Sequence, residues 1–442
     1  MKTFPRGGVH PPEHKLASGS AIEVLPVPRV VTVLLNQHLG APAEAVVAKG
    51  DRVKAGQLIA RSTGFVSANI HAPVSGVVLK VEPMPDHSGY KKPGIQIETD
   101  GDEWIDTIDR STDLKKDESL TSEQIVARVL EMGIVGLGGA TFPSHVKLSV
   151  PKGKKAGLLI INGVECEPYL TSDHRLMLEK GEEVMVGTQL LMKALGVKEA
   201  IIGIERNKPD AIAHLASLAK GYPGIRIAAL KVKYPQGGEK QLIKALTGRE
   251  VPSGRLPIDV GAVVHNVGTA FAVYEAVMKN KPLFERVVTV TGKEIAKPSN
   301  FLVRIGTPFS ELIQAAGGLP GTTGKVINGG PMMGKAVAET ELPVTKGTSG
   351  LLVLPLQESR RKKVMNCIRC SKCVTVCPMG LEPYLLMTLG ELERWEDVEL
   401  NRALDCIECG SCSYTCPSNR PLLDYIRLGK ANVNRIIRSR SK

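Results

Sequence analysis

Aromatic residues make up only 4% of this 442-residue chain. No nucleic-acid-binding motif accompanies them, so the net charge of +12 is a poor case for nucleic acid. That charge favours acidic surfaces instead, such as those of ferredoxins or anionic lipid headgroups. Long hydrophobic runs are also missing. Nothing approaches the roughly 18–20 apolar residues that span a bilayer, and the longest stretches, 156–161 and 350–356, suit buried strands. Met1 to Lys15 lacks the apolar stretch of a secretory signal. Disulfides, which need an oxidising compartment, are therefore not expected. What remains is ordinary for a folded protein, with 43% hydrophobic and 23% charged residues. The length allows two to four domains.

Against that background the nine cysteines stand out. Cys367, Cys370, Cys373 and Cys377 precede Pro378; Cys406, Cys409, Cys412 and Cys416 precede Pro417. Both sets read C-x2-C-x2-C-x3-C-P, the run that holds 4Fe–4S clusters in bacterial ferredoxins. Three thiolates at this pitch wrap one face of a cubane, and the fourth leaves the local turn to reach the other cluster. The expected sets are Cys367, Cys370, Cys373 with Cys416, and Cys406, Cys409, Cys412 with Cys377. Structural zinc is the competing reading, but it commonly uses C-x2-C pairs separated by a longer gap. The ninth, Cys166, reads as a small packed residue.

Four domains follow from the pattern along the chain. Residues 1–109 are rich in valine, glycine and proline, with short β runs and turn signals around 46–59 and 71–78. They resemble the barrel-sandwich fold of lipoyl and biotinyl carriers. No lysine lies between Arg61 and Lys80, so a swinging arm is not expected and the domain reads as a scaffold. A charged linker, 106–119, leads to 120–285. There strands alternate with helices, the signature of a mainly parallel sheet covered on both faces. Residues 286–356 mix short strands with one helix, a β-grasp-like module. Residues 358–442 carry the cysteines. The 28 residues between Cys377 and Cys406 are leucine-rich and strong in helix formers. An α-helical two-cluster module is expected, similar to that of succinate dehydrogenase iron–sulfur subunits. The tail from Lys430 reads as a solvated, frayed end.

Gly136-Leu137-Gly138-Gly139-Ala140-Thr141-Phe142-Pro143 follows a helix, so it is not a dinucleotide fingerprint, which follows a strand. Lys147 stands a few residues on. Asn162, with Glu165 and Glu167 just beyond, and His265-Asn266-Val267-Gly268-Thr269 end predicted parallel strands, where α/β proteins bind ligands. These loops leave room for a flat ligand and a phosphate.

The same stretches resemble the flavin subunit of respiratory NADH dehydrogenase. Residues 136–147 are similar to its G-x-G-G-A-x-F-P-x-x-x-K, 162–168 to its N-x-x-E-x-E-P, 234–239 to its Y-x-x-G-E-E, and 264–269 to its V-N-N-V-x-T. The resemblance implies that Gly136, Gly138 and Lys147 touch FMN. Asn162, Glu165, Tyr234, Gly238, His265, Asn266 and Thr269 would complete the pocket. Glu167 and Glu239 would lie towards NADH, with Phe142 stacking on its adenine. Leu137 replaces the usual arginine, and the turn at 234–239 lacks one glutamate. No general acid or base is required, so Glu165 and Glu167 would orient and tune.

The whole chain resembles the RnfC/RsxC family, found in Rnf complexes, membrane assemblies that couple electron flow between NADH and ferredoxin to Na+ or H+ movement. Phe4-Pro5-Arg6-Gly7-Gly8-Val9-His10, Gln37-His38-Leu39-Gly40, residues 71–76 and the twin cysteine runs carry this resemblance. It implies a peripheral subunit on the cytoplasmic face of the membrane, with other Rnf subunits and NADH as partners and ferredoxin as an indirect one. Its cofactors would be FMN and two 4Fe–4S clusters, with NADH passing electrons singly to the membrane subunits. A corrinoid reductase, a non-enzymatic electron-transfer adaptor and a scaffold with structural clusters stay open as alternatives.

Overall fold

In the computed structural model, residues 2–117 and 119–440 are described. Met1, Glu118 of the linker, and Ser441 and Lys442 at the end of the basic tail lie outside them. The central domain is built on four parallel strands, in the order Ile225–Leu230, Ala200–Glu205, Leu158–Asn162, Ala262–Asn266. Alternation of side chains along a strand sends each strand's residues to two cores. Leu159 and Ile161 join one core with Ile202 and Ile204. Ile160 joins the other with Ile201 and Val264. Helices Gly181–Leu195 and Val267–Met278 cover the first face. Helix Glu239–Thr247 covers the second through Leu242, Ile243 and Leu246. The first two helices approach closely at Gly187, where a Cβ would run into the carbonyl oxygen of Ala270.

Helix Ser122–Glu131 starts where the sequence predicts. Thr121 Oγ1 accepts from Gln124 N at 3.3 Å, and the Gln124 side chain returns to Thr121 N at 2.7 Å, a reciprocal cap. Two short helices, Ser144–Leu148 and Ser172–Glu179, are additional to the predicted elements.

The N-terminal barrel closes a four-stranded sheet over a three-stranded one around Val31, Val33, Ile59, Ile70, Ile95 and Ile97. The loop that presents the modified lysine in carriers is here a docking tip. The Phe65 carbonyl lies 2.9 Å from His145 Nε2, and Asn69 Nδ2 donates to Glu131 O at 3.1 Å. Leu39 N donates to Thr141 O at 3.3 Å, tying the glycine-rich loop to the barrel. The first two dozen residues do not belong to the barrel. They run across the central domain, and Ile22–Val24 pairs with Ser299–Arg304 at the edge of the six-stranded sheet of the third domain.

The last domain is helical, as expected. The predicted single helix after Cys377 is two, Pro383–Glu391 and Trp395–Leu400, divided at Glu393 with φ 54°. The basic tail is not a frayed end. Helix Leu422–Arg440 runs 19 residues, buries Leu422, Leu423, Ile426 and Val433, and pairs Arg440 with Glu399 at 2.8 Å.

Candidate functional site

The two cysteine runs fold alike. Residues flanking the second thiol take left-handed backbone in both: Arg369 and Ser371, then Glu408 and Gly410. So do Gly380 and Asn419, each three residues after the fourth cysteine. Alternating right- and left-handed residues turn successive N–H groups inward, a concavity that suits an anionic cluster. Leu381 N and Glu408 N lie 3.4 Å from Cys377 Sγ and Cys406 Sγ.

Cys377 crosses to the second run. With Cys406, Cys409 and Cys412 it lines a cavity of about 360 Å³. Cys416 crosses back and packs near Cys373. The thiols stand around the cavity wall, a spread that fits a multi-iron cluster. Among the described residues no three His, Cys, Asp or Glu side chains converge as a single metal ion requires. Burial pushes the Cys406 thiol up to about 11 and the Cys412 thiol up to about 12. Iron bound there would hold them as thiolates. The two sets differ in depth. Cys377, Cys409 and Cys412 are buried, whereas Cys367 and Cys370 are exposed.

The flavin-site residues come together at the carboxyl ends of the central strands. Gly136 N donates to Phe142 O at 2.9 Å, closing the glycine-rich loop on itself. Leu137 N donates to Thr269 Oγ1 at 2.9 Å, fastening that loop to the start of helix Val267–Met278. Gly138 lies against Asn266, where a Cβ would stand 3.0 Å from the asparagine Cβ. Asn266 caps the same helix through Gly268 N at 2.8 Å. Asn162 Nδ2 donates to Gly237 O at 2.8 Å, which draws the 234–239 turn over the sheet. Lys147 Nζ reaches both Glu239 Oε1 at 2.7 Å and Val264 O at 3.0 Å. This pair stays partly open, with side-chain exposures of 30% and 40%. Gly238 stands within 3.5 Å (measured from a Cβ built on it) of Ile407, between two ligands of the buried cysteine set.

A flavin fits this set of residues. His265 Nε2 is buried without a hydrogen-bond partner beside them. Burial, then the Lys147 ammonium, holds the His265 imidazole neutral down to about 3. A neutral ring nitrogen with a free lone pair or proton is available to a ligand's polar edge.

Glu165 and Glu167 depart from expectation. Glu165, with φ 45°, accepts from Asp173 N at 2.8 Å and His174 N at 3.2 Å. Its carboxylate sits on the positive end of helix Ser172–Glu179 instead of facing the pocket. Glu167 Oε1 accepts from Met332 N at 2.6 Å and Met333 N at 3.1 Å, in the third domain. It also receives a hydrogen bond from Tyr234, so it faces a domain joint. The Tyr234 hydroxyl donates to Cys409 O at 2.8 Å as well. One buried phenol thus joins the flavin-site turn to a cluster-ligand loop. Sequence reasoning also missed Lys15, whose ammonium donates to the carbonyls of Glu165, Glu167 and Leu170 at 2.6–3.0 Å. No spacing signal could have found it, because the contact spans about 150 positions.

Family comparisons agree with this anatomy. Residues 2–102 match the RnfC barrel sandwich hybrid domain, 129–275 the Nuo51 FMN-binding domain, 287–336 the SLBB domain and 366–420 the 4Fe-4S dicluster domain. The chain is 48% identical, over its full length and 96% of the relative, to the RnfC-type component of the proton-translocating ferredoxin:NAD(+) oxidoreductase complex of Clostridium ljungdahlii. The chain belongs to the RnfC family. It is 46% identical to the corresponding component of the Na(+)-translocating complex of Acetobacterium woodii, over 97% of this chain and 96% of that one. A chain of an NAD+-reducing [NiFe]-hydrogenase shares the fold, with TM-score 0.51 and 21% identity over 74% of this chain and 65% of that one. FMN and two 4Fe–4S clusters are the cofactor set of these domains, as the sequence implies.

Proposed function

We propose that this chain is the electron-entry subunit of an Rnf complex, taking electrons from NADH and delivering them singly to the other subunits, where Na+ or H+ movement is coupled to ferredoxin chemistry. When bound, FMN accepts a hydride pair and releases electrons one at a time, which is the form in which a cubane cluster takes them. The chain's residues supply position. Gly136 and Gly138 keep the loop low enough for close approach of a flat ring. Lys147 offers its ammonium to a phosphate or a flavin edge. Glu239 and Phe142, on the open side, are left for the dinucleotide. Hydride transfer asks only for alignment at roughly 3–3.5 Å, so no side chain need carry a proton.

The observation that carries this reading is the Tyr234–Cys409 hydrogen bond of 2.8 Å. It sets the order of the thiol sets: Cys377, Cys406, Cys409 and Cys412 stand next to the flavin turn, and Cys367 and Cys370 stand at the surface. Around the outer set, Arg360, Arg361, Lys362, Lys363, Arg369 and Lys372 are all exposed, with Val364, Met365 and Ile368 among them. No acidic residue falls between Glu358 and Glu382. This face suits an acidic electron-transfer partner. A peripheral place on the cytoplasmic face of the membrane accords with the described helices, none of which is long and apolar enough to cross a bilayer.

The test is anaerobic purification with iron, sulfide and flavin counted, followed by rapid mixing with NADH. Flavin bleaching followed by cluster reduction is expected. Material that holds iron but neither flavin nor any response to NADH would reject the proposal.

A further inference from the structure

The opening motif Phe4–His10 has no part in binding flavin or iron, yet it occupies the joint between them. Phe4 and Val9 are buried, at 2% and 7% exposure. Val9 pairs with Tyr234 through both backbone groups, N to O at 2.8 Å and O from N at 2.9 Å. One residue earlier, Gly8 N donates to Val376 O at 2.8 Å, immediately before the ligand Cys377. The strap is therefore bonded on one side to the flavin-site turn and on the other to the buried cysteine set. Lys233 Nζ fastens it further, 3.1 Å from Phe4 O and 4.1 Å above the Phe4 ring. Val9 packs in one apolar cluster with Tyr234 and Cys409.

The two glycines explain themselves in this place. Gly7 has φ 67°, and a Cβ there would stand 2.6 Å from the Cys377 carbonyl carbon and Val376 O. Gly8 has φ 91°, and its Cβ would meet Lys233 Cε at 2.6 Å and Tyr234 O at 2.9 Å. Left-handed backbone and direct backbone-to-backbone contact both require glycine.

We infer that residues Phe4–Val9 are a positioning element of the electron path: they fix the Cys377/Cys406/Cys409/Cys412 set against the flavin-site turn and keep water from it. The inference rests on the functional reading above, but it concerns one thiol set and one strap. Excluded water matters because a reduced cluster carries more negative charge than an oxidised one. Solvent admitted at its edge stabilises the reduced form and raises its potential.

The test compares full-length Gly7→Ala and Val9→Ala with wild type, each purified anaerobically with both clusters. Gly19→Ala is the control, since a Cβ there meets nothing within 4 Å. Clusters are reduced stepwise with dithionite and followed by electron paramagnetic resonance, a readout independent of NADH. One of the two cluster signals is expected to shift to higher potential in both variants, with the other unmoved and the control like wild type. After NADH mixing, flavin bleaching should keep its rate while cluster reduction slows by about tenfold or more, as a small misplacement can cause. Val9→Ala keeps the backbone bonds and serves if Gly7→Ala does not fold. Unchanged potentials in Val9→Ala, or equal shifts of both clusters, would overturn the inference. A wild-type protein lacking NADH-driven bleaching would sink only the functional reading.

Discussion

Lys147 has one cationic group and three claims on it: the Glu239 carboxylate, the Val264 carbonyl and the bound flavin. Lys147→Ala removes the cation and leaves Glu239 as a bare negative charge at the pocket. The purified variant should retain flavin at least about tenfold more weakly, a loss of about 1.4 kcal/mol, read as flavin per chain after dialysis. His265 gives a pH prediction. Its imidazole is held neutral in the folded chain to about 3, against roughly 6.5 when unfolded. Between these values the unfolded chain binds more protons, so stability falls as pH drops from about 6.5 towards 3. His265→Asn should flatten that slope by at most about 1.4 kcal/mol per pH unit, measured by anaerobic thermal melting at pH 7, 6 and 5. Gly136, Gly138, Lys147, Asn162, Asn266 and Thr269 were legible as a group because each marks a strand end or a loop with little side chain. Glu165 and Glu167 were not. A sequence names a carboxylate but not the direction in which it points, and here a helix N-terminus and a loop 165 positions away won them.

Helices Gly181–Leu195 and Val267–Met278 touch through Gly187. Gly187→Ala would place a methyl group on the Ala270 carbonyl oxygen, and neither rigid backbone can retreat without unpacking the core. The expected cost is about 3 kcal/mol, the upper end for overpacking, seen as a lower denaturation midpoint with unchanged slope. Most central strands and helices were readable from periodicity and caps. Ser172–Glu179 escaped because its first turn is polar and its cap, Glu165, comes from seven residues upstream. The tail helix escaped for a related reason. Its buried stripe of Leu422, Ile426 and Val433 is apolar, but the basic residues between hide it in any local average.

At the scale of the molecule, the exchange of Cys377 and Cys416 ties the two halves of the last domain into one object. Cys416→Ala should abolish the same paramagnetic signal as Cys370→Ala, although 46 positions separate them. Cys377→Ala should abolish the signal lost in Cys409→Ala. A pairing by nearest sequence would reverse both results. The four-domain plan and the twin cysteine runs were plain in the sequence, because each rests on local spacing. The way the domains meet was not, since Tyr234–Cys409, Lys15 and the opening strap are contacts between distant positions that no local pattern records.

That strap has a consequence for how the protein is made. Gly8 is bonded to Val376, so one of the earliest residues to leave the ribosome must wait for one of the last. At about 5–20 residues per second the interval is roughly 20–70 s. Throughout it the buried thiol set has no finished wall. Iron delivery during translation would meet an open site, and delivery after chain release a closing one, so the timing of cofactor loading is written into the first ten residues.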